Sequence, residues 1–256
     1  MKLYSQILGE KEAPALIIMH GVFGMGDNWQ TLGRKWAEQY AIHLLDMRNH
    51  GRSPHSEAFS YDLMTADLLE YLNEHQLSEA YILGHSMGGK VAMQFAVEHP
   101  EKTARLIVAD MAPRPYEPHH GFIIEALQSL DFEKLSSRKE AEKALAKKID
   151  NPGIRQFLLK SLYWKEKEQL AWRFNVPVIG KAVAQSGHYL PANAVYSGAS
   201  LFLRGGKSEY LKDSDWNEIK KHFTNAELAT IEGAGHWVHA EKPREFKAAV
   251  DAFLAH

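Results

Sequence analysis

The chain has 256 residues, a formal net charge of −2 and no cysteine. Apolar residues make up 45% of it and charged residues 24%, which are ordinary values for a globular protein and exclude a disordered or fibrous chain. The charge argues against a nucleic-acid partner, and the lack of cysteine excludes disulfides, thiol nucleophiles and cysteine-ligated metals. Because no signal peptide or membrane span is evident, we expect a cytoplasmic protein with no membrane partner.

Short apolar runs alternate with helical patterns along much of the chain. Continuous apolar runs predict buried strands at residues 15–19, 41–45, 81–85, 105–109, 199–203 and 226–231. Apolar residues at helical spacing predict helices at 29–40, 61–75, 87–99, 214–223 and 243–254. This alternation predicts an α/β fold with a mostly parallel, doubly wound sheet, whose ligands bind outside the carboxyl ends of the strands.

The alternation stops between about Pro113 and Pro191, where helical patterns and aromatic residues dominate and no run has strand character. We therefore predict an α/β core of residues 1–112 and 196–256, with a helical cap inserted at 113–195. The aromatic residues of this insertion form either the wall of an acyl-binding pocket or the cap's own core: Phe122, Phe157, Tyr163, Trp164, Trp172 and Phe174.

Gly84, Ser86 and Gly88 fit the pattern G-x-S-x-G between a predicted strand and a predicted helix. In such a turn, strained backbone geometry exposes the serine hydroxyl at the top of a sheet, and side chains at the flanking positions would collide with neighbouring elements. Ser86 is therefore the predicted nucleophile. The alternative is an inactive relative of a hydrolase that only binds its ligand.

A serine hydroxyl needs a base to accept its proton and an acid to orient that base. His236 lies on a glycine-supported loop after the last strand, at the same sheet edge as Ser86, and is the predicted base. Asp110 is the favoured acid because it directly ends the strand that follows the elbow helix. Asp213 and Asp215 satisfy the same chain order and stay alternatives, as does a purely strand-ending role for Asp110.

Attack on an acyl group creates a negative oxygen that needs donors already aimed at it. The amide of Met87, at the start of a helix, is one predicted donor. The other is expected from Val22 or Phe23, in the loop after the first long strand. His239 follows His236 by three residues, but no third ligand accompanies the pair, so we predict neither a metal nor a cofactor and expect a structural role for His239.

Several stretches of the sequence resemble the α/β-hydrolase superfamily and, within it, the YbfF-type bacterial esterases, which are related to mammalian abhydrolase-domain-containing protein 11. They are H-G-V-F-G at 20–24, D-M-R-N-H-G-R-S at 46–53, G-H-S-M-G-G-K at 84–90 and G-A-G-H-W-V-H-A-E-K-P at 233–243. A further stretch, W-R-F-N-V-P-V at 172–178, resembles part of that group's cap. The resemblance spans nearly the full chain and is least specific at 115–161.

In these esterases the acid follows the sixth strand of the fold rather than the seventh, which agrees with Asp110. The resemblance also implies a serine next to the histidine, and Ser208 in R-G-G-K-S matches it. It implies activity on short-to-medium acyl esters, with acyl-CoA thioesters as a further candidate class. The residues expected to bind substrate are Phe23, His85, Trp172, Phe174 and Trp237.

The sequence thus predicts a serine esterase that forms an acyl-enzyme on a small-molecule ester or thioester. One alternative is a carbon–carbon bond hydrolase of the same fold that uses the same three residues. The other is a hydrolase-like binding protein without catalysis. The sequence makes no prediction of the oligomeric state.

Overall fold

The computed structural model describes residues 1–117, 121–167, 169–184 and 190–255. Strands in that part of the chain are β1 (Ser5–Leu8), β2 (Ala15–Met19), β3 (Ala41–Leu45), β4 (Ala80–His85), β5 (Thr103–Ala109), β6 (Leu162–Glu166), β7 (Gln169–Trp172), β8 (Ser200–Gly205) and β9 (Ala226–Ile231). Helices are α1 (Gln30–Trp36), α2 (Tyr61–Glu74), α3 (Met87–Glu98), α4 (Gly121–Gln128), α5 (Arg138–Leu145), α6 (Pro152–Leu159), α7 (Val176–Ala184), α8 (Trp216–His222), α9 (Val238–Glu241) and α10 (Pro243–Leu254).

Seven strands form one sheet in the order β1-β3-β2-β4-β5-β8-β9. β1 runs antiparallel to β3, whereas every other neighbouring pair in this sheet is parallel. The predicted α/β fold with a mostly parallel sheet is thereby confirmed. The strand order reverses between the adjacent strands β2 and β4, so the loops that follow them open a crevice at this point.

The sheet is buried on both faces, which explains why its central strands read as continuous apolar runs. In β2, Ile17 and Met19 point into the layer that contains α2 and α3. Leu16 and Ile18 point into the opposite layer with α1 and α10. Successive side chains of each central strand thus pack into the two cores in turn. Packing on both faces fixes the register of the strands and therefore the positions of the functional groups at their ends.

The inserted segment contains a strand pair that the sequence analysis missed. β6 and β7 form an antiparallel hairpin with Leu162 opposite Trp172. Burial alternates along β7, where Leu170 and Trp172 are buried and Gln169 is exposed, whereas the end of β6 is exposed. The expectation of an insertion without strands is therefore wrong, because it rested on a search for continuous apolar runs. The edge strand β1 was missed for the same reason, since Ile7 on it is exposed.

Two predicted helices are shorter than expected. A 3₁₀ turn at Gly26–Trp29 precedes α1, which ends at Trp36 rather than near residue 40. α8 spans Trp216–His222, inside the predicted 214–223. None of the helices in the described ranges is both long and apolar enough to cross a membrane.

β4 and α3 come closest where two glycines meet. A Cβ built on Gly84 would lie 2.1 Å from the carbonyl oxygen of Gly88, and one built on Gly88 would lie 2.5 Å from that of Met19 in β2. Both obstacles are backbone atoms, which cannot swing away as a long side chain can. Glycine at these positions is therefore what lets α3 begin directly against the sheet.

Gly84→Ala is expected to lower the free energy of unfolding by about 2–3 kcal/mol, because the new methyl group forces the strand and helix apart. Gly121→Ala is the matched control, since a Cβ there meets no described atom within 4 Å. Urea unfolding followed by far-ultraviolet circular dichroism compares the two variants with the parent. Equal stability of the two variants would contradict this packing.

Candidate active site

Ser86 occupies a sharp turn between β4 and α3. Its backbone has φ 53° and ψ −115°, outside the regions that L-residues ordinarily adopt. Strain of this kind persists only where the surroundings hold it, and here the close approach of Gly84 and Gly88 does so. The turn leaves the Ser86 side chain at the carboxyl end of β4, inside the crevice between β2 and β4.

Three side chains from distant parts of the sequence form a continuous hydrogen-bonded chain. His236 Nε2 lies 3.0 Å from Ser86 Oγ, and His236 Nδ1 lies 2.7 Å from Asp110 Oδ2. These distances fit an imidazole that donates its Nδ1–H to the carboxylate and accepts the hydroxyl proton at Nε2. The structure therefore brings together the predicted nucleophile, base and acid at one edge of the sheet.

Asp110 is completely buried at the end of β5, with a positive φ of 51°. Its Oδ1 accepts the amide of Gly205 at 3.0 Å, and its Oδ2 accepts the hydroxyl of Ser208 as well as the His236 N–H. Burial raises the pKa of Asp110 to about 6, while the bonds from Ser208 and Gly205 oppose that rise. The donors thus keep a buried carboxylate charged near neutral pH.

The two alternative acids are engaged elsewhere. Asp213 is exposed and accepts a hydrogen bond from Arg204 at 2.5 Å. Asp215 accepts one from Arg114 at 2.8 Å. Since both ring nitrogens of His236 already face Ser86 and Asp110, the geometry favours Asp110 as the acid.

Ser208 lies next to the acid. Its hydroxyl donates to Asp110 Oδ2 and accepts the amide of Tyr210 at 3.2 Å. The resemblance implied a serine that assists His236, and the contact seen here reaches the imidazole only through the carboxylate. Ser208 therefore contacts the carboxylate of Asp110, and this hydrogen bond opposes the rise in the pKa of Asp110.

The loop after β2 lies over the turn at Ser86 and carries the second predicted oxyanion donor. Phe23 has a positive φ of 63°, and its amide donates to His50 Nε2 at 3.2 Å. Because the amide of Phe23 already donates to His50, the amide of Val22 is the better candidate in this loop for the second oxyanion donor. Met87 is the first residue of α3, where helix geometry leaves amides without intrahelical acceptors and the helix dipole favours negative charge.

His85 contacts both the backbone and the ring of His236. Its Nε2 donates to the backbone carbonyl of His236 at 2.9 Å, and its ring lies 4.8 Å from the His236 ring. Burial lowers the pKa of His85 to about 3, so the ring is neutral and can hold this single N–H there. His85 thereby fixes the backbone of the residue that carries the imidazole.

Tyr210 is a site residue that the sequence analysis did not identify. Its ring stacks on the His236 imidazole with centroids 3.6 Å apart and an interplanar angle of 15°. Tyr210 follows Ser208 by two residues, but no motif marks it. Only the fold shows that this loop folds over His236.

A cavity of about 240 Å³ adjoins Ser86 and His236. Three of the residues expected to bind substrate line it, namely Phe23, His85 and Trp237. Further lining residues come from the insertion and from the loops around the sheet edge: Phe122, Ile123, Ile154, Phe157, Leu158, Tyr210, Trp29 and His239. The cavity is thus mostly apolar and aromatic, which suits an acyl chain.

Trp172 and Phe174 do not line this cavity, which corrects the expectation that they bind substrate. Their rings stack on each other at 5.2 Å, and Phe174 meets Phe23 edge-on at 5.3 Å. Both belong to the buried core of the insertion. Sequence alone could not separate an aromatic residue of the pocket wall from one that fills the core behind it.

His239 lies on α9 with its ring stacked on Trp29 at 4.0 Å. In the part of the chain that the structure describes, no group of three histidine, cysteine, aspartate or glutamate side chains is placed to hold a metal ion.

Residues 14–243 match the family model of the alpha/beta hydrolase fold. The chain belongs to the α/β-hydrolase family. It is 37% identical to sn-1-specific diacylglycerol lipase ABHD11 of Mus musculus, over 98% of this chain and 84% of that protein. It is 34% identical to esterase YbfF of Escherichia coli K12, over 93% and 92% of the two chains.

A solved structure of an esterase from a marine microorganism superposes with a TM-score of 0.95, at 40% identity and 99% coverage of both chains. E-2-(acetamidomethylene)succinate hydrolase, at 17% identity with a TM-score of 0.80 over 99% and 95% of the two chains, shares the fold alone. The family expected from the sequence motifs is confirmed. The chain is an esterase/lipase-type hydrolase of this fold.

In Ser208→Ala, the fall of kcat/KM at low pH, which is the acid limb of its pH profile, is expected to move to higher pH by about one unit. The substitution removes a hydrogen bond that stabilises the charged form of Asp110. With its pKa raised further, Asp110 takes up a proton earlier as the pH falls. Ser200→Ala is the control and leaves this part of the pH profile in place, because the hydroxyl of Ser200 in β8 donates to the carbonyl of Gly198 and not to Asp110. An acid limb that stays put or moves to lower pH in Ser208→Ala would contradict this assignment.

Proposed function

We propose that the chain is a serine carboxylic-ester hydrolase that works through Ser86, His236 and Asp110 and forms an acyl-enzyme. The observation that carries the proposal is the continuous hydrogen-bonded chain from Ser86 Oγ through both nitrogens of His236 to Asp110. The esterase relatives support the reaction class but do not identify the residues that carry it out.

In the proposed reaction, His236 Nε2 takes the proton of the Ser86 hydroxyl while Oγ attacks the acyl carbonyl carbon. The tetrahedral intermediate collapses, and His236 returns the proton to the departing alcohol or thiol. Water then attacks the acyl-enzyme with His236 again as base, which releases the acid and restores Ser86. Asp110 stabilises the imidazolium that forms in each half of the reaction, and no cofactor is required.

The backbone amides of Met87 and Val22 are the proposed donors to the oxyanion. Both are main-chain groups on rigid elements, so they need little reorganisation as charge develops. The helix dipole of α3 adds a favourable potential at Met87. The neutral His50, which accepts the amide of Phe23, supports this arrangement because it fixes the loop that presents Val22.

The cavity favours short-to-medium acyl chains. Its volume of about 240 Å³ is below the range of roughly 300–1,000 Å³ that holds drug-sized ligands. Phe157 and Trp237 contact each other at 5.6 Å on its wall and limit its extent. An acyl-CoA thioester is a second candidate substrate, since only its acyl part would need to enter.

We also propose the division of the chain into a core of residues 1–112 and 196–256 and a cap of 113–195. A separate buried cluster supports it, because its members come from the insertion apart from Phe23. Phe23 joins this cluster from the loop after β2, and the hydroxyl of Ser161 donates to its carbonyl at 3.2 Å. The cytoplasmic location expected from the sequence stays a prediction.

A substrate panel tests the proposed reaction. 4-Nitrophenyl esters of increasing acyl length, an acyl-CoA and a ring-cleavage diketone are offered to the parent protein and to Ser86→Ala. We expect turnover of the short-to-medium esters, a decline for long chains, and a loss of about 10³-fold or more in kcat for Ser86→Ala. Preferential cleavage of the diketone would favour carbon–carbon bond hydrolysis. No turnover of any substrate would favour a binding protein.

A further inference from the structure

The loop after β8 carries an aromatic ring that lies flat on the proposed catalytic base. The phenol ring of Tyr210 and the imidazole of His236 have centroids 3.6 Å apart and an interplanar angle of 15°. This contact covers the face of the imidazole, whereas the two nitrogens on its edge bond Ser86 and Asp110. Tyr210 therefore touches the base without competing for its hydrogen bonds.

Hydrogen bonds on both sides hold the backbone of Tyr210. Its amide donates to Ser208 Oγ at 3.2 Å. Its carbonyl accepts the hydroxyl of Tyr116 at 2.5 Å and the guanidinium of Arg114 at 3.4 Å. Arg114 is fixed in turn by an ion pair with Asp215 at 2.8 Å. These bonds keep Tyr210 at the position where its ring meets the imidazole.

The imidazole of His236 changes charge during the proposed reaction. It becomes an imidazolium when it takes the proton of Ser86, and a cation within about 6 Å of the face of an aromatic ring is attracted by that ring. Burial raises the pKa of Tyr210 to about 12, so this ring is a neutral phenol. Because the attraction is stronger for imidazolium than for neutral imidazole, it favours the transition state over the ground state.

The same contact limits how the imidazole can turn. A rotation of the His236 ring about its bond to Cβ would separate Nε2 from Ser86 and would push the ring edge into the phenol. The ring of His85, 4.8 Å from that of His236, is a second neighbour, and only 15% of the His236 side chain is exposed. A fixed imidazole matters because small displacements of a catalytic group lower the rate strongly.

We propose that Tyr210 is a positioning residue for ester hydrolysis, whose stacked ring orients His236 and stabilises the imidazolium. The inference rests on the proposed function and adds to it a residue that acts through the base. Tyr210 also lines the cavity, so the competing interpretation is that it only forms part of the acyl-binding wall.

The two roles predict different kinetics. A residue that acts through His236 affects kcat by the same factor for every acyl chain, because the base performs the same proton transfers on each. A residue of the wall affects KM, by a factor that depends on how far the acyl chain reaches along it.

Steady-state kinetics with 4-nitrophenyl acetate, butanoate and hexanoate separate these roles. Tyr210→Leu removes the aromatic face but keeps an apolar side chain, whereas Tyr210→Phe keeps the face and removes only the hydroxyl. We expect Tyr210→Leu to lower kcat about tenfold, by the same factor for all three esters and with a smaller change in KM. Tyr210→Phe is expected to recover most of that loss.

Either of two results would overturn the positioning role while leaving ester hydrolysis intact. One is a kcat in Tyr210→Leu that equals that of Tyr210→Phe. The other is an effect of Tyr210→Leu that is confined to KM or to the longer esters. A folded parent protein that cleaves none of the three esters would overturn the proposed function and this role with it.

A second variant decides the question if Tyr210→Leu does not fold, as judged by far-ultraviolet circular dichroism. Tyr116→Phe removes the hydroxyl that holds the carbonyl of Tyr210, and we expect a loss of about threefold in kcat for all three esters. Tyr196→Phe is its control with the parental kcat, because that buried hydroxyl bonds the carbonyl of Thr103 at 2.7 Å. Equal kcat values in Tyr116→Phe and Tyr196→Phe would then overturn the positioning role.

Discussion

The hydrogen bond between Asp110 and His236 is the interaction on which the rest of this site depends. It joins residues that are 126 positions apart, and it exists only because the sheet places the end of β5 and the loop after β9 on either side of β8. Two further donors stabilise the buried carboxylate: the amide of Gly205, at the end of β8, and the hydroxyl of Ser208, in the loop that follows β8. The loops approach so closely that a Cβ on Gly205 would lie 2.2 Å from the carbonyl oxygen of Gly235.

Backbone strain is concentrated where function is expected. Phe23, Ser86 and Asp110 all have positive φ, although none is glycine. Such a conformation costs roughly 1–2 kcal/mol per residue and survives only where the surrounding packing determines it. The two buried layers of the sheet supply that constraint at Ser86 and Asp110. At Phe23, His50 accepts the backbone amide and Ser161 of the insertion donates to the backbone carbonyl, so both hold the loop.

Much of this arrangement could be predicted from the sequence because local chemistry determines it. The glycines on either side of Ser86 indicate a tight turn that residues with a side chain would obstruct. The apolar run at 105–109 predicts a strand, and Asp110 directly follows it. Asp110 was favoured over Asp213 because it directly ends a strand, and the resemblance agreed with that choice. In the structure Asp213 is exposed and bonds Arg204, which makes it unsuited to orient His236.

Other features could not be predicted because they arise only when distant segments meet. Tyr210 covers His236, and Trp29 meets His239 across the site, without any periodic pattern to mark the pairs. The hairpin of β6 and β7 was missed because one of its sides is exposed. Trp172 was assigned to the pocket because aromatic composition does not distinguish a wall from the core that supports it.

The rate of covalent labelling by a fluorophosphonate probe, with the modified residue located by peptide mass spectrometry, measures how far Asp110 and His236 activate Ser86. We expect the probe to modify Ser86, Asp110→Asn to slow labelling by about 10³-fold or more, and Asp213→Asn to label at the parent rate. Modification of a residue other than Ser86, or equal labelling rates for Asp110→Asn and the parent, would contradict these roles of the three residues.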